Sequence, residues 1–293
     1  MHVLVGVDES ESVEEISGWV ESLRFANLTQ EWMHVVPSQA STVWSLDPIV
    51  GANRTDQLEE RLAGRMQRSL TERAEPRGET VKVRVRIGNQ ARELLNRADE
   101  TRAELIAVRG SNKGGIAAFF LGSVARALVE GAEQSVLLTR GPIPQEPLKV
   151  LIATDHSEYM EKALARLSRW APHGLGQLTL LHVLPPAYRA ATDHLAQEIA
   201  HEVYGRPIQE VEEVTAKAAT VLGKSLGLTE GAIDSRIARG SISEAIDTAL
   251  AETGADLLIL GAKGQTLLER LTLGSVSFRA VTTCHKSVLV LRG

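Results

Sequence analysis

One cysteine, Cys284, is all that the 293 residues contain, so an intramolecular disulfide is excluded and a thiolate zinc site lacks its ligands. That usage suits a reducing compartment, and a cytoplasmic protein is expected. Aromatic residues make up only 4% of the chain, so the core must be built from Val, Ile, Leu and Ala, which suits buried parallel strands covered by helices. No Lys/Arg-rich run occurs, and 32 basic against 37 acidic residues leave a net charge of −5. Nucleic acid is therefore not an expected partner. The apolar runs, such as Ile116 to Leu121, fall far short of a membrane span, and the N-terminus turns acidic by Asp8 with no basic region before it. Neither membrane insertion nor secretion is expected. The sequence also has no Gly-x4-Gly-Lys-Ser/Thr loop and no Gly-x-Ser-x-Gly elbow, so P-loop and nucleophile-elbow mechanisms lack their parts.

What is present is a duplication. A length of 293 residues favours two domains over one core, and the apolar and charged fractions of 43% and 24% are those of an ordinary globular chain. Val5-Gly6-Val7-Asp8-Glu9-Ser10 recurs as Ile152-Ala153-Thr154-Asp155-His156-Ser157, and Met33-His34-Val35-Val36-Pro37 recurs as Leu181-His182-Val183-Leu184-Pro185. Leu121-Gly122-Ser123-Val124 recurs as Leu273-Gly274-Ser275-Val276, and Thr139-Arg140-Gly141 as Leu291-Arg292-Gly293, both 152 residues on. Two copies of one domain are expected, 1–141 and 148–293, joined by the stretch Gly141 to Pro147, whose three prolines bar strand and helix.

Within each copy, short β-branched runs alternate with longer helical patterns, the mark of βαβ units. Strands are expected near 2–8, 29–36, 80–87, 104–109 and 134–139, then near 148–154, 177–184, 232–238, 256–260 and 287–292. In the second copy helices are expected near 157–171, 193–226, 242–253 and 274–283. The fold class is α/β, two tandem doubly wound five-stranded parallel sheets, with ligands at the carboxyl ends of the strands.

Three motifs fall on that edge in the second copy. Gly261-Ala262-Lys263-Gly264, then nine residues, then Gly274-Ser275-Val276 follows the apolar strand Leu257 to Leu260. Glycines there let backbone N–H groups form a concave nest, and Ser275 stands where the next helix begins, so the parts suit a phosphate. Asp155 closes the first strand and precedes Ser157, a helix N-cap; its plain reading is a loop acid, and its functional one a partner for a ribose hydroxyl or a metal ion.

Strand-Thr-Asp-x-Ser, His-Val at the end of strand two, and Gly-x2-Gly-x9-Gly-Ser resemble the universal stress protein family, in tandem over both halves and in its ATP-binding form. The resemblance implies strand order 3-2-1-4-5, as in adenine nucleotide alpha hydrolase-like folds, and an adenine nucleotide, ATP or else ADP or AMP, with Mg²⁺ as an added candidate. Adenine would lie near strands one and two, ribose near the Asp, and phosphates on the glycine loop. The matching residues are Ala153, Thr154, Asp155, Val183 (through its backbone), Gly261, Gly264, Gly274, Ser275 and Val276. In the first copy Val7, Asp8, Val35, Gly122 and Ser123 match. Without a gap, however, Gly261 falls on Arg109 and Gly264 on Asn112, while a one-residue shift uses Gly110 but places Lys113 at the second glycine. Neither register restores the spacing, although Lys113, Gly114 and Gly115 could improvise an anion site. The second copy is expected to be the occupied one. The resemblance also implies that the apolar fifth strands pair with each other inside one chain, leaving further homodimerisation open.

The expected function is binding with ligand-driven regulation of stress survival, since nothing at the glycine motif apart from Asp155 resembles a base or nucleophile. The alternatives are a slow ATPase or phosphotransferase, and a scaffold for a non-nucleotide ligand. A hydroxyl at Ser123 or Ser275 could also accept a phosphoryl group. His194, Glu198 and His201 share a helical face that reads as solvated rather than metal-binding. His34 and His182 read as packed or backbone-bonded, and Cys284 as a half-buried side chain.

Overall fold

A computed structural model describes residues 1–8, 12–38, 52–110, 121–145, 147–184, 208–262 and 275–293, with the backbone alone at 52–56, 208, 275 and 276. The first half runs β1 (His2–Val7), α1 (Val13–Ser22), β2 (Thr29–Pro37), α2 (Ala52–Ala74), β3 (Val81–Gly88), α3 (Gln90–Thr101), β4 (Leu105–Arg109), α4 (Ser123–Gly131) and β5 (Ser135–Thr139). The second half repeats it: β6 (Leu148–Thr154), α5 (Glu158–Trp170), β7 (Leu175–Leu184), α6 (Ile208–Ser225), β8 (Ile233–Arg239), α7 (Ile242–Thr253), β9 (Leu257–Gly261), α8 (Ser275–Thr283) and β10 (Ser287–Leu291). Every expected strand is present within about two residues of its expected ends. Of the helix expected over 193–226, the part before 208 lies outside the described residues, as do His194, Glu198 and His201.

Local chemistry sets the helix ends. Asn89 opens α3 by accepting from the Arg92 N–H at 3.0 Å, and Ser157 opens α5 by accepting from the Met160 N–H at 3.2 Å. Each such cap is worth about 1 kcal/mol. Glu158 and Glu161 in the first turn of α5 and Arg169 in its last complement the helix dipole. Both helices stop at a left-handed residue, Arg102 and Ala171.

The ten strands form one sheet in the order β3-β2-β1-β4-β5-β10-β9-β6-β7-β8. Each half alone is therefore 3-2-1-4-5, with every neighbour parallel. The halves join where β5 and β10 run antiparallel, Leu137 opposite Leu289. That pairing removes two wholly buried apolar edges from solvent; the edge left at β3 alternates Lys82, Arg84 and Arg86 between its apolar residues, a charged rim that discourages further pairing.

Alternation along the strands sends side chains to two helical layers. Val3, Val5, Trp32, Val150, Ile152 and Ile259 pack against α1, α2, α5 and α6, while Leu4, Ile106, Val136, Leu151, Leu258 and Val288 pack against α3, α4, α7 and α8. Each layer is one cluster crossing the seam, so the halves share their cores. On the α1 face the seam is tightened by the Trp170 Nε1–H, which donates to Glu104 at 3.2 Å, by the Trp170 ring set edge-on to Phe25, and by Gly174, whose N–H reaches the Leu23 carbonyl at 3.1 Å. The described part of the stretch 141–147 contains no strand or helix, as its prolines require. Ile143 from that stretch rests on α1 where Gly18 leaves room for it.

Candidate functional site

In each half the first and fourth strands lie side by side and the chain leaves them toward opposite faces, which opens a crevice at their carboxyl ends. In the second half these are β6 and β9. Ala153 pairs with Leu260 across them, Thr154 ends β6, Asp155 follows, and Gly261 ends β9. Val183 lies next to last in β7, opposite Ala238 of β8. The sheet thus brings Ala153, Thr154, Asp155, Val183 and Gly261 to one edge. Ser275 and Val276 are the first two residues of α8, while Gly264 and Gly274 lie outside the described residues.

The turn after β6 is held by its own side chains. The Asp155 carboxylate accepts from the Ser157 N–H at 3.0 Å, and the Thr154 hydroxyl accepts from the His156 N–H at 3.1 Å. His156 adopts a left-handed φ of 54°, a conformation uncommon outside glycine. Its ring lies 4.9 Å from that of His182, centroid to centroid, and its Nε2 is 2.8 Å from the Thr215 hydroxyl of α6. His182 Nδ1 meets the Thr154 carbonyl at 2.9 Å, and in the first half His34 Nδ1 meets the Val7 carbonyl at 3.0 Å. Both histidines are buried, so the packed, backbone-bonded reading holds for each. Burial pulls the His182 pKa below its ordinary value, partly offset by the bond to Thr154 and by the charge of Asp155.

Sequence reasoning missed His156 and Thr215. His156 carried a weak signal in standing beside Asp155; Thr215 carried none, because its contact spans 59 residues of sequence. Cys284 departs from the expected half-buried position. It is 5% exposed within the core layer that packs against α3, α4, α7 and α8, in the same cluster as Val281 and Ala280, and burial pushes its thiol pKa up.

In the first half, Val7, Asp8 and Val35 occupy the matching edge, and Gly122 caps α4, which begins at Ser123. A cleft of 180 Å³ lies there between β1, β4 and α3, walled by Met33, Val35, Leu94, Val108, Val124 and Ala125, with Asp8, Gln90 and Arg109 among its polar groups. The Ser12 hydroxyl donates to Asp8 at 2.6 Å. Arg109 Nη2 pairs with the Glu15 carboxylate of α1 at 3.0 Å.

The ladders decide between the two registers that the sequence left open. Arg109 pairs with Thr139 as Gly261 pairs with Leu291. The Gly110 N–H donates to the Thr139 carbonyl and the Ala262 N–H to the Leu291 carbonyl, each at 2.8 Å. Arg109 is thus the counterpart of Gly261. Gly110 has a packing role: a Cβ there would stand 2.8 Å from Arg140 Nε. The segment with Asn112, Lys113, Gly114 and Gly115 lies outside the described residues.

Among the described residues no group of three or more His, Cys, Asp or Glu is placed to hold a metal ion, and no helix is long and apolar enough to cross a membrane.

Comparison with known proteins agrees with this architecture. A crystal structure of a universal stress protein from Archaeoglobus fulgidus DSM 4304 superposes with a TM-score of 0.67 at 16% identity, covering 99% of this chain and 98% of the other. A functionally unknown protein from Pseudomonas aeruginosa PAO1 gives 0.65 at 14% identity, covering 99% and 92%. Two curated relatives match about half of the chain each. The universal stress protein encoded 3' of a QAH/OAS sulfhydrylase in Thermus aquaticus is 28% identical over 143 residues, 49% of this chain and 97% of that relative. Universal stress protein YxiE of Bacillus subtilis (strain 168) is 28% identical over 153 residues, 49% of this chain and 98% of its own. The universal stress protein family matches residues 1–140 and again 148–292, and the chain belongs to that family.

Proposed function

We propose that the chain is a cytoplasmic adenine-nucleotide-binding regulator of the stress response, built as two domains, 1–141 and 148–293, with ATP held by the second. The observation that carries this reading is the crevice between β6 and β9, where Asp155 follows β6, Gly261 ends β9 and α8, which begins at Ser275, is tied to that end by the Ser277 hydroxyl donating to the Gly261 carbonyl. Adenine sits against Ala153, Thr154 and the backbone of Val183, and Asp155 accepts from the ribose diol. The phosphates lie on the backbone N–H groups of Gly261, Gly264, Gly274, Ser275 and Val276, where glycine admits close approach and the dipole of α8 favours an anion. ADP and AMP are alternative occupants, and Mg²⁺ would sit with the phosphates. Ligand binding acts by shifting populations of conformation or association, including homodimerisation, rather than by turnover.

Isothermal titration of nucleotide-stripped protein with Mg-ATP, on wild type and on Gly274→Val, tests the reading. It expects one ATP per chain, lost in the variant. No binding to the wild type by heat or by an independent probe would refute it, and two ATP per chain would refute the assignment to the second domain alone.

A further inference from the structure

A cleft of 680 Å³ lies where the two halves meet, at the amino ends of β4 and β5 and beside the last turns of α5. It stands at the end of β4 away from the first-half crevice, and its volume is within the ~300–1,000 Å³ of ordinary ligand sites. Arg102, Glu104 and Gln134 line it from the first half, and Arg166, Arg169 and Trp170 from the second. The three guanidiniums balance the carboxylates of Asp99, Glu104 and Glu133 in charge, but the hydrogen bonds do not balance. Glu104 accepts from the Trp170 Nε1–H at 3.2 Å and from the His2 N–H at 3.3 Å, and Asp99 accepts from the Gln134 amide nitrogen at 2.8 Å. Among the described residues, Arg102, Arg166 and Arg169 have neither an ion pair nor a side-chain hydrogen bond. An ionised carboxylate only accepts, so the nitrogen of Gln134 must face Asp99; its oxygen, Oε1, is left buried without a donor. The cleft therefore holds a surplus of guanidinium donors and one unmet acceptor.

Duplication did not supply this arrangement. Arg102 follows α3 with a left-handed φ of 52°, and its counterpart 152 residues on is Gly254, with a φ of 63°. The first half thus carries a long cationic side chain on a backbone conformation that suits glycine. Met160, Ala163 and Leu167 of α5 match Val13, Ile16 and Val20 of α1, all buried, so Arg166 and Arg169 stand where α1 has Trp19 and Ser22. Gln134 is replaced by Lys286. The ends of α3 and α5 favour cations through their dipoles, which places arginines here without pairing them.

We propose that this seam cleft binds a small hydroxylated dianion, a phosphate monoester or a dicarboxylate, gripped by Arg102 from one half and by Arg166 and Arg169 from the other. Guanidinium forks match both oxyanions in pairs of parallel hydrogen bonds. Gln134 Oε1 takes a hydroxyl of the ligand. The ligand ties α5 to the α3–β4 turn, so the site exists only where the two halves are joined.

Titration calorimetry of the full-length protein with glycerol 3-phosphate and with malate tests the proposal, with glycerol as the uncharged control. One dianion per chain is expected, with glycerol weaker by at least about tenfold. Arg102→Gly copies the second half and suits the left-handed backbone, while Arg166→Met keeps a good helix former in α5. Each should weaken the dianion at least about tenfold while the thermal melt stays cooperative. A preference for glycerol 3-phosphate or for malate identifies the oxyanion, and either supports the site. The proposal is overturned if neither dianion binds, if glycerol binds as tightly as its phosphate, or if both variants keep the wild-type affinity, which would put the anion elsewhere on the chain.

Discussion

Arg140 and Arg292 hold equivalent positions 152 residues apart and reach across the seam in opposite directions to equivalent partners. The Arg140 N–H donates to the Ser287 hydroxyl at 2.8 Å, and the Arg292 N–H to the Ser135 hydroxyl at 3.1 Å. The Arg140 guanidinium donates to the Val281 carbonyl at the end of α8, and that of Arg292 to the Val129 carbonyl of α4 at 2.6 Å. Each half thus lends an arginine to the last turns of the other half's final helix, where exposed carbonyls and the helix dipole favour a cation. Replacing Arg140 by Met keeps much of the buried stem and leaves the Val281 and Lys286 carbonyls short of a donor. The expected loss is about 1–3 kcal/mol in denaturant unfolding. An unchanged midpoint would remove the arginine from the seam's energetics.

Gly174 tests the other contact between the halves. A Cβ there would stand 1.8 Å from the Ser22 carbonyl oxygen, so Gly174→Ala forces backbone apart and should lower stability by about 1–3 kcal/mol. Gly231→Ala is the control, since open space surrounds that position and its φ is not positive. Thermal melts of the two variants should separate clearly; equal melting points would mean that α1 and β7 can part at no cost.

Because His182 is buried neutral and its folded pKa lies below 6.5, the unfolded chain takes up its proton first as pH falls. The native state is then at full strength above about pH 6.5 and loses stability below it. Urea unfolding between pH 5 and 8 should show this slope, and His182→Gln should flatten it. A slope that survives the substitution would assign the effect to other groups.

Glu100 behaves in the opposite range. Hydrogen bonds from Arg86 at 2.6 Å and Arg97 at 2.9 Å hold its carboxyl at about 2, against an ordinary 4.5. A depressed folded pKa contributes stability above the ordinary value and loses it as pH falls toward about 2. Carboxyl NMR titration should place the midpoint near 2, and Arg86→Met should raise it; a midpoint near 4.5 in the wild type would mean that the three side chains do not hold together in solution.

The strands were legible because a buried parallel strand reads as a continuous apolar run: Leu257 to Leu260 and Val288 to Leu291 admit little else. The duplication was legible because Asp8 and Asp155, His34 and His182, Ser123 and Ser275 recur in order. The partner of each apolar face was not, since alternation gives a side and says nothing of what covers it; hence the shared core layers and the close approach of Gly174 to α1 came only from the fold. The choice between Arg109 and Gly110 as the match for Gly261 was hidden as well, because neither register restores the glycine spacing and only the ladder hydrogen bonds distinguish them. His156, Thr215 and the buried Cys284 belong to the same class: their surroundings are assembled from segments distant in sequence.

Antiparallel pairing of β5 with β10 has one more consequence. Two identical chains meeting in this way would form a twofold symmetric body, and any substitution would be inherited by both of its crevices at once. Here the two sides are encoded separately and tied end to end, so Arg109 could arise against Glu15 while Gly261 stayed as it was. The fused chain keeps the symmetric scaffold and is released from symmetric chemistry.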